Sequence, residues 1–135
     1  MKVVYEAIMD LAGADMIFDA TMTGGLHLQQ QEQQTVNEPT YPYATFFKVT
    51  QVPEYTFTEL GENMTVQFDV FDNSSSVETI SDAAVVLKDC FDLASLVVDG
   101  YDHIFMKREW ETEPMSVNGV RQISIQYRLT IQKSR

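Results

Sequence analysis

This sequence predicts an α+β fold in a single domain. The expected sheet is four- to five-stranded and mostly antiparallel, built from two hairpins and packed by an N-terminal helix and a long central helix. Three observations carry the prediction. Ile123, Ile125, Tyr127, Leu129 and Ile131 alternate without a fault with Gln122, Ser124, Gln126, Arg128 and Thr130, as a strand with one face on a core does. Met64, Val66, Phe68 and Val70 alternate in the same way with Thr65, Gln67 and Asp69. Between them Ile80, Ala84, Leu87, Phe91 and Ala94 recur every three or four residues, a stripe with helical period that faces a core.

Size and composition agree with one domain over residues 1–135. Hydrophobic residues make up 44% and charged residues 21% of the chain, an ordinary globular balance that argues against global disorder.

The elements follow in order. Val4, Ala7, Ile8 and Leu11 share one helix face, with Glu6 and Asp10 on another, and Gly13 is the expected stop. A short helical turn follows at 15–20, anchored by Met16, Ile17 and Phe18. A long polar loop is expected at about 21–42. Gly24-Gly25 breaks regular structure, Leu26-His27-Leu28 reads as a short strand, and Gln29, Gln30, Gln31, Glu32, Gln33 and Gln34 form an amide run closed by Pro39 and Pro42. Tyr43 to Gln51 is rich in aromatic and β-branched residues and reads as a strand ended by Pro53. A polar turn at 59–63 joins it to the strand around Phe68. Asp72 to Ser76 offers helix N-caps, and the helix begins at Val77. The closing hairpin comprises strands at 101–111 and 120–132, with Asn118-Gly119 suited to a tight turn. The predicted core comprises Ile80, Ala84, Leu87 and Phe91 from the helix and Ile123, Ile125, Tyr127 and Leu129 from the last strand.

The charge narrows the function. The formal net charge is −11, and residues 1–78 carry −10 of it. Phosphate gripping needs a basic face that releases counterions. Lys107, Arg108, Arg121 and Arg128 are the candidates for one, and Glu109, Glu111 and Glu113 are interleaved with them. Conventional nucleic-acid binding is therefore not expected, and the acidic excess serves solubility at least. The single cysteine excludes an intramolecular disulfide or a cysteine-based zinc site. The longest aliphatic run, 83–87, is far below the roughly 18 residues of a spanning helix. An N-terminus with Lys2, Glu6 and Asp10 offers no signal-peptide core. No membrane association is expected.

The chemistry-bearing residues are few. His27 and His103 have no evident local partner. Asp102-His103 imitates a catalytic pair, but adjacent strand residues point to opposite faces. Cys90 beside Phe91 reads as a core residue rather than a nucleophile. Asp69 with Asp72, and Glu109, Glu111 and Glu113 on one strand face, are the carboxylate sets available to a cation or to acid–base work; a solvated face near Lys and Arg accounts for the second set without metal and is the expected reading. Phosphate-loop, dinucleotide, nucleophile-elbow and zincin motifs are missing from the sequence. No catalytic residue, metal or cofactor is assigned.

Certain phrases carry a resemblance. Tyr41-Pro42-Tyr43-Ala44-Thr45-Phe46-Phe47-Lys48-Val49, the strand Val66 to Asp72 with its serine-rich cap and long helix, and the closing strand Arg121 to Ile131 resemble the tail-completion, or tail terminator, proteins of long-tailed bacteriophages. The likeness covers roughly residues 1–132. It implies a virion structural protein at the head-proximal end of the tail, made in the host bacterial cytoplasm. Its implied partners are further copies of itself in a ring, commonly a hexamer, with the tail tube protein and the head connector protein. DNA would pass through such a ring without specific binding, and a negative lumen would repel it. Leu26, Leu28 and Gln29 to Gln34 are the candidate partner-interface loop, since five amides in six residues bury too little apolar surface to order alone. The competing reading is an acidic monomeric binding protein, such as an inhibitor that mimics DNA.

Overall fold

The strand with the clearest alternation becomes an inner strand of the sheet. The computed structural model describes residues 2–28, 40–55, 60–96, 100–117 and 119–133. Its elements are α1 (Lys2–Ala14), α2 (Met16–Thr21), β1 (Leu26–Leu28), β2 (Tyr43–Tyr55), β3 (Leu60–Asp72), α3 (Val77–Phe91), β4 (Tyr101–Glu111), β5 (Met115–Val117) and β6 (Val120–Lys133). They form a single α+β domain with a six-stranded sheet of order β1-β2-β3-β6-β4, with β5 also on β6. The two expected hairpins are present. They join through the antiparallel β3–β6 pair, in which Phe68 lies opposite Ile125 and Val66 opposite Tyr127.

The sheet has one strand more than the upper expectation, and one pair is parallel: β1 runs alongside β2, with Leu26 opposite Ala44. Three other local expectations need correction. Pro53 does not end β2, which continues to Tyr55 with Pro53 opposite Glu62. Only Ala44 to Phe46 are covered by β1, so the outer side of β2 beyond Phe46 is a sheet edge among the described residues, where a missing N–H costs nothing. The turn expected at 59–63 is strand from Leu60 onward. Gly13 lies inside α1, which ends one residue later at Ala14.

All three helices pack on one face of the sheet. Val4, Ala7 and Ile8 of α1, Phe18 of α2 and Ile80, Ala83, Ala84, Leu87 and Phe91 of α3 are buried against Phe46, Val66, Phe68, Val70, Ile123, Ile125, Tyr127 and Leu129. Every predicted core residue is in this layer. Its centre is aromatic: the Phe91 ring lies 4.7 Å from Phe68, 6.2 Å from Phe18 and 6.4 Å from Tyr127.

Ser76 caps α3, its hydroxyl accepting from the Glu78 amide at 3.1 Å. The helix stops at Phe91, so Ala94, read as the last residue of the stripe, lies beyond it, and Val77 at the other end is exposed. The stop is tertiary in origin. Leu93 takes a left-handed φ of 56°. Its amide donates to the Met106 carbonyl at 2.9 Å, and the Met106 amide donates to Ala94 at 3.0 Å. β4 thus draws the chain out of the helix. No helix is long and apolar enough to cross a membrane among the described residues.

Candidate functional site

Among the described residues the fold has two broad unmatched surfaces, the outer face of the helices and the sheet face opposite them, which no described element covers. On β3 and β6 the residues alternating with the core, Gln67 and Asp69 against Gln122, Ser124 and Gln126, stand on the uncovered face. They form a continuous hydrogen-bond chain. Gln126 Nε2 donates to Gln67 Oε1 at 2.8 Å, Gln67 Nε2 to Asp69 Oδ1 at 2.9 Å, Ser124 Oγ to the same oxygen at 2.6 Å and Gln122 Nε2 to Ser124 Oγ at 3.3 Å. Asp69 is buried, and among the described residues its carboxylate is held by neutral donors. Across from it, the buried Thr45 hydroxyl has no hydrogen-bond partner among the described residues.

Strand register places a second row on the same face, because cross-strand partners share a side. Phe47 lies opposite Gln67, Gln67 opposite Gln126 and Gln126 opposite Trp110. Trp110 is 43% exposed. Next to it Lys107 lies opposite Arg128, and Arg128 Nε meets Glu109 at 2.9 Å. The other end of the face is aromatic, with Tyr43 stacked on Phe71 at 5.0 Å and Tyr41 5.5 Å from Tyr43.

The helix face has the opposite character. Glu6 and Asp10 of α1, Asp19 of α2 and Glu78, Asp82 and Asp89 of α3 are all exposed there. Two cations beside it are engaged: Lys88 meets Glu111 at 3.1 Å, and Arg108 bridges Glu111 at 2.8 Å and Asp92 at 3.4 Å. Met16 and Ile17 project from this face at 84% and 69% exposure. They were expected as anchors of α2 beside Phe18, but only Phe18 is buried. Asp15 caps α2, its carboxylate accepting from the Ile17 and Phe18 amides at 3.0 Å, and this sets Phe18 inward and its two predecessors outward.

The other candidates resolve one by one. Glu109, Glu111 and Glu113 do not share a strand face: the ladder is irregular between Arg108 and Trp110, Glu111 turns to Lys88, Glu109 turns to Arg128, and Glu113 lies past the end of β4. No group of three or more metal-ligating side chains occurs among the described residues. Asp72 is buried and accepts from the Ser74 amide at 3.2 Å. Arg121 is spent on the Ser74 and Ser75 carbonyls at 3.3 and 3.0 Å. His27 does have a local partner, the Gly24 carbonyl, 2.8 Å from its Nε2; the side chains of Asp102 and His103 lie outside the described residues. Burial, with Asp15 adding to it, pushes the Cys90 thiol up to about 12, so it is not a nucleophile at neutral pH. The Tyr127 phenol is likewise pushed up, first by burial and then by its 2.6 Å hydrogen bond to Asp92.

Of the candidate interface loop, Leu26 is in the core and Leu28 is half-buried against it; Gln29 to Gln34 lie outside the described residues. Both ends of the loop are pinned together. The Gly24 amide donates to Pro42 at 2.8 Å and the Thr23 hydroxyl to Tyr41 at 2.9 Å. A side chain at Gly24 would run into the Thr40 carbonyl and Tyr43 Cβ, so this approach needs glycine. Sequence reasoning missed Trp110 as a surface residue. The available signal was a lone large aromatic inside the charged run 107–113.

No protein-family model matches the chain, and no curated protein matches it. Solved structures do. One chain in the virion of a native gene transfer agent particle superposes with a TM-score of 0.79 over 94% of this chain and 92% of that one, at 15% identity. A second solved chain, whose name describes no role, matches with a TM-score of 0.61 over 99% of this chain and 95% of its own, at 12% identity. At these identities the fold is what is shared, and it is shared from end to end.

Proposed function

We propose that this chain is a phage or prophage virion structural protein, a ring-forming tail terminator that caps the tail tube and joins it to the head connector. The observation that carries the reading is the end-to-end likeness to a chain of a gene transfer agent virion particle. The resemblance of the Tyr41–Val49, Val66–Asp72 and Arg121–Ile131 phrases to tail-completion proteins supports the finer role. In a ring, hexameric by analogy with that family, the acidic helix face suits a lumen that repels DNA phosphates. Leu28 and Gln29 to Gln34, which follow the pinned base at Gly24 in the chain, serve as an arm onto a neighbouring protein, where backbone pairing and amide hydrogen bonds supply the ordering energy.

Deleting the gene from its phage or prophage and imaging the products tests the reading. Tails of unregulated length beside unjoined heads are expected, with the chain present in purified wild-type particles. Purified particles that lack the chain overturn it. Replacing Gln29 to Gln34 with a short Gly-Ser linker is expected to leave the melting point nearly unchanged while head-to-tail joining fails. Joining at wild-type yield removes the arm from the proposal.

The acidic helix face favours one other reading, the monomeric DNA mimic. It predicts a chain that stays single and occupies a basic cleft in competition with DNA.

A further inference from the structure

The two unmatched surfaces differ in charge and lie on opposite sides of one layered domain, so they cannot satisfy each other within a single chain. The helix side presents an acidic and apolar corner where α1 meets α2: Met9, Asp10, Met16, Ile17 and Asp19, with Met16 84% exposed. The sheet side presents Trp110, 43% exposed, beside Lys107 and Arg128. Glu109 offsets part of that charge through Arg128, which leaves the patch cationic by one unit at most. Elsewhere on that face Gln67, Asp69, Ser124 and Gln126 are bonded to one another, and the far end is aromatic, with Tyr43 stacked on Phe71.

We propose that copies of this chain associate head to tail, the α1–α2 corner of one seated on the Trp110 end of the next copy's uncovered sheet face. The inference rests on the ring reading above and deepens it by naming the surfaces. Met16 and Ile17 supply the apolar knob, Trp110 the platform, and Asp10 and Asp19 face Lys107 and Arg128 at the rim. Tryptophan, methionine and arginine are the residue types that interfaces concentrate, with the charges at the rim setting orientation. Because the two surfaces differ, the contact is heterologous. It repeats from copy to copy and closes into a ring or continues as a filament according to the rotation per step.

Charge reversal with mixing tests this directly. One variant carries Asp10→Lys and Asp19→Lys, and the other carries Lys107→Glu and Arg128→Glu. All four side chains are at the surface, and unchanged circular dichroism and melting point verify the fold. Each variant alone is then basic or acidic on both surfaces, and sedimentation equilibrium should show self-association weakened about tenfold or more. Mixed in equal amounts, each presents the other with a complementary surface, and association should return. Trp110→Ser and the paired Met16→Ser, Ile17→Ser should each weaken the wild-type assembly.

Wild-type-like assembly of both reversed variants overturns the surface assignment and leaves the ring reading standing. A mixture that stays dissociated overturns it too, as does loss confined to binding another virion protein. A wild type that neither self-associates nor assembles on tail tubes overturns both.

Discussion

Phe91→Ala probes the core where the helix layer meets the sheet. Phe91 is fully buried at the last turn of α3, and its ring lies 4.7 Å from Phe68 and 6.2 Å from Phe18. The substitution therefore removes the element that connects α2, α3 and β3. The lost transfer energy and the cavity left behind together cost about 3–5 kcal/mol for a buried phenylalanine. Since the remaining rings belong to three separate elements and cannot all collapse inward, the upper half of that range is expected. In a domain of this size each kcal/mol lowers the melting temperature by about 3–5 °C, so a fall of about 12–25 °C follows.

Calorimetry and urea unfolding measure the loss independently, and the urea slope should stay unchanged. The exposed Val85 on the same helix is the control: Val85→Ala should stay within about 0.5 kcal/mol of wild type. A Phe91→Ala melting point within about 2 °C of wild type would refute both the burial of the stripe and the aromatic cluster built on it.

Three further outcomes are expected. Leu93 holds a left-handed φ of 56° while its side chain is 68% exposed, so Leu93→Gly should stabilise the fold by about 0.5–1 kcal/mol in urea unfolding; destabilisation would mean the side chain packs. Asp92→Ala strands the Tyr127 hydroxyl that donates to it at 2.6 Å and should cost about 1–3 kcal/mol, part of which Tyr127→Phe in the same chain recovers. Cys90 ionises near 9 when unfolded but near 12 in the fold, and Tyr127 is shifted in the same direction. Their contribution to stability is thus complete below about pH 9 and is lost as pH rises, at about 1.4 kcal/mol per pH unit for each unfolded-state anion. Cys90→Ala should flatten the first part of that decline.

The fold class was legible because burial on one side of a sheet writes itself into the chain every second residue. Ile123 to Leu129 and Met64 to Val70 obey that rule so strictly that their strands and shared face followed directly. Where it fails, a tertiary partner has intervened. The stripe ran through Ala94, yet the Met106 backbone captures Leu93 and Ala94 first. Pro53 looked like a stop, yet on the outer side of β2 it omits a hydrogen bond that no neighbour would have accepted. Met115–Val117 was too short to show a period at all. The surfaces were harder to read for a different reason. Met16, Ile17 and Phe18 are equally apolar in sequence, and which of them faces water depends on the Asp15 cap and on where α3 lies.

Among the described residues the helices cover one face of the sheet, and a sheet so covered is open to association at its edges and on its other face; this chain treats the two differently. Each edge is poorly suited to strand pairing. β1 is three residues long, the edge of β2 beyond it is interrupted by a bulge between Lys48 and Thr50 and by Pro53, and β4 carries Lys107, Arg108, Glu109 and Glu111 and loses register at two places, between His103 and Met106 and between Arg108 and Trp110. Charges and bulges on an edge are how native sheets discourage indiscriminate pairing. The bare face is protected where its polar side chains bond to one another, from Gln122 through Ser124, Asp69 and Gln67 to Gln126. An internally satisfied network gains nothing from a partner. The strip beyond that network, Trp110 with Lys107 and Arg128, is exposed, and so, on the far side of the molecule, is the acidic corner at Met16 and Ile17. The two patches that the proposed head-to-tail contact uses lie on opposite layers of the domain, so that contact would be directional. Directional repetition of that kind is what a closed ring requires.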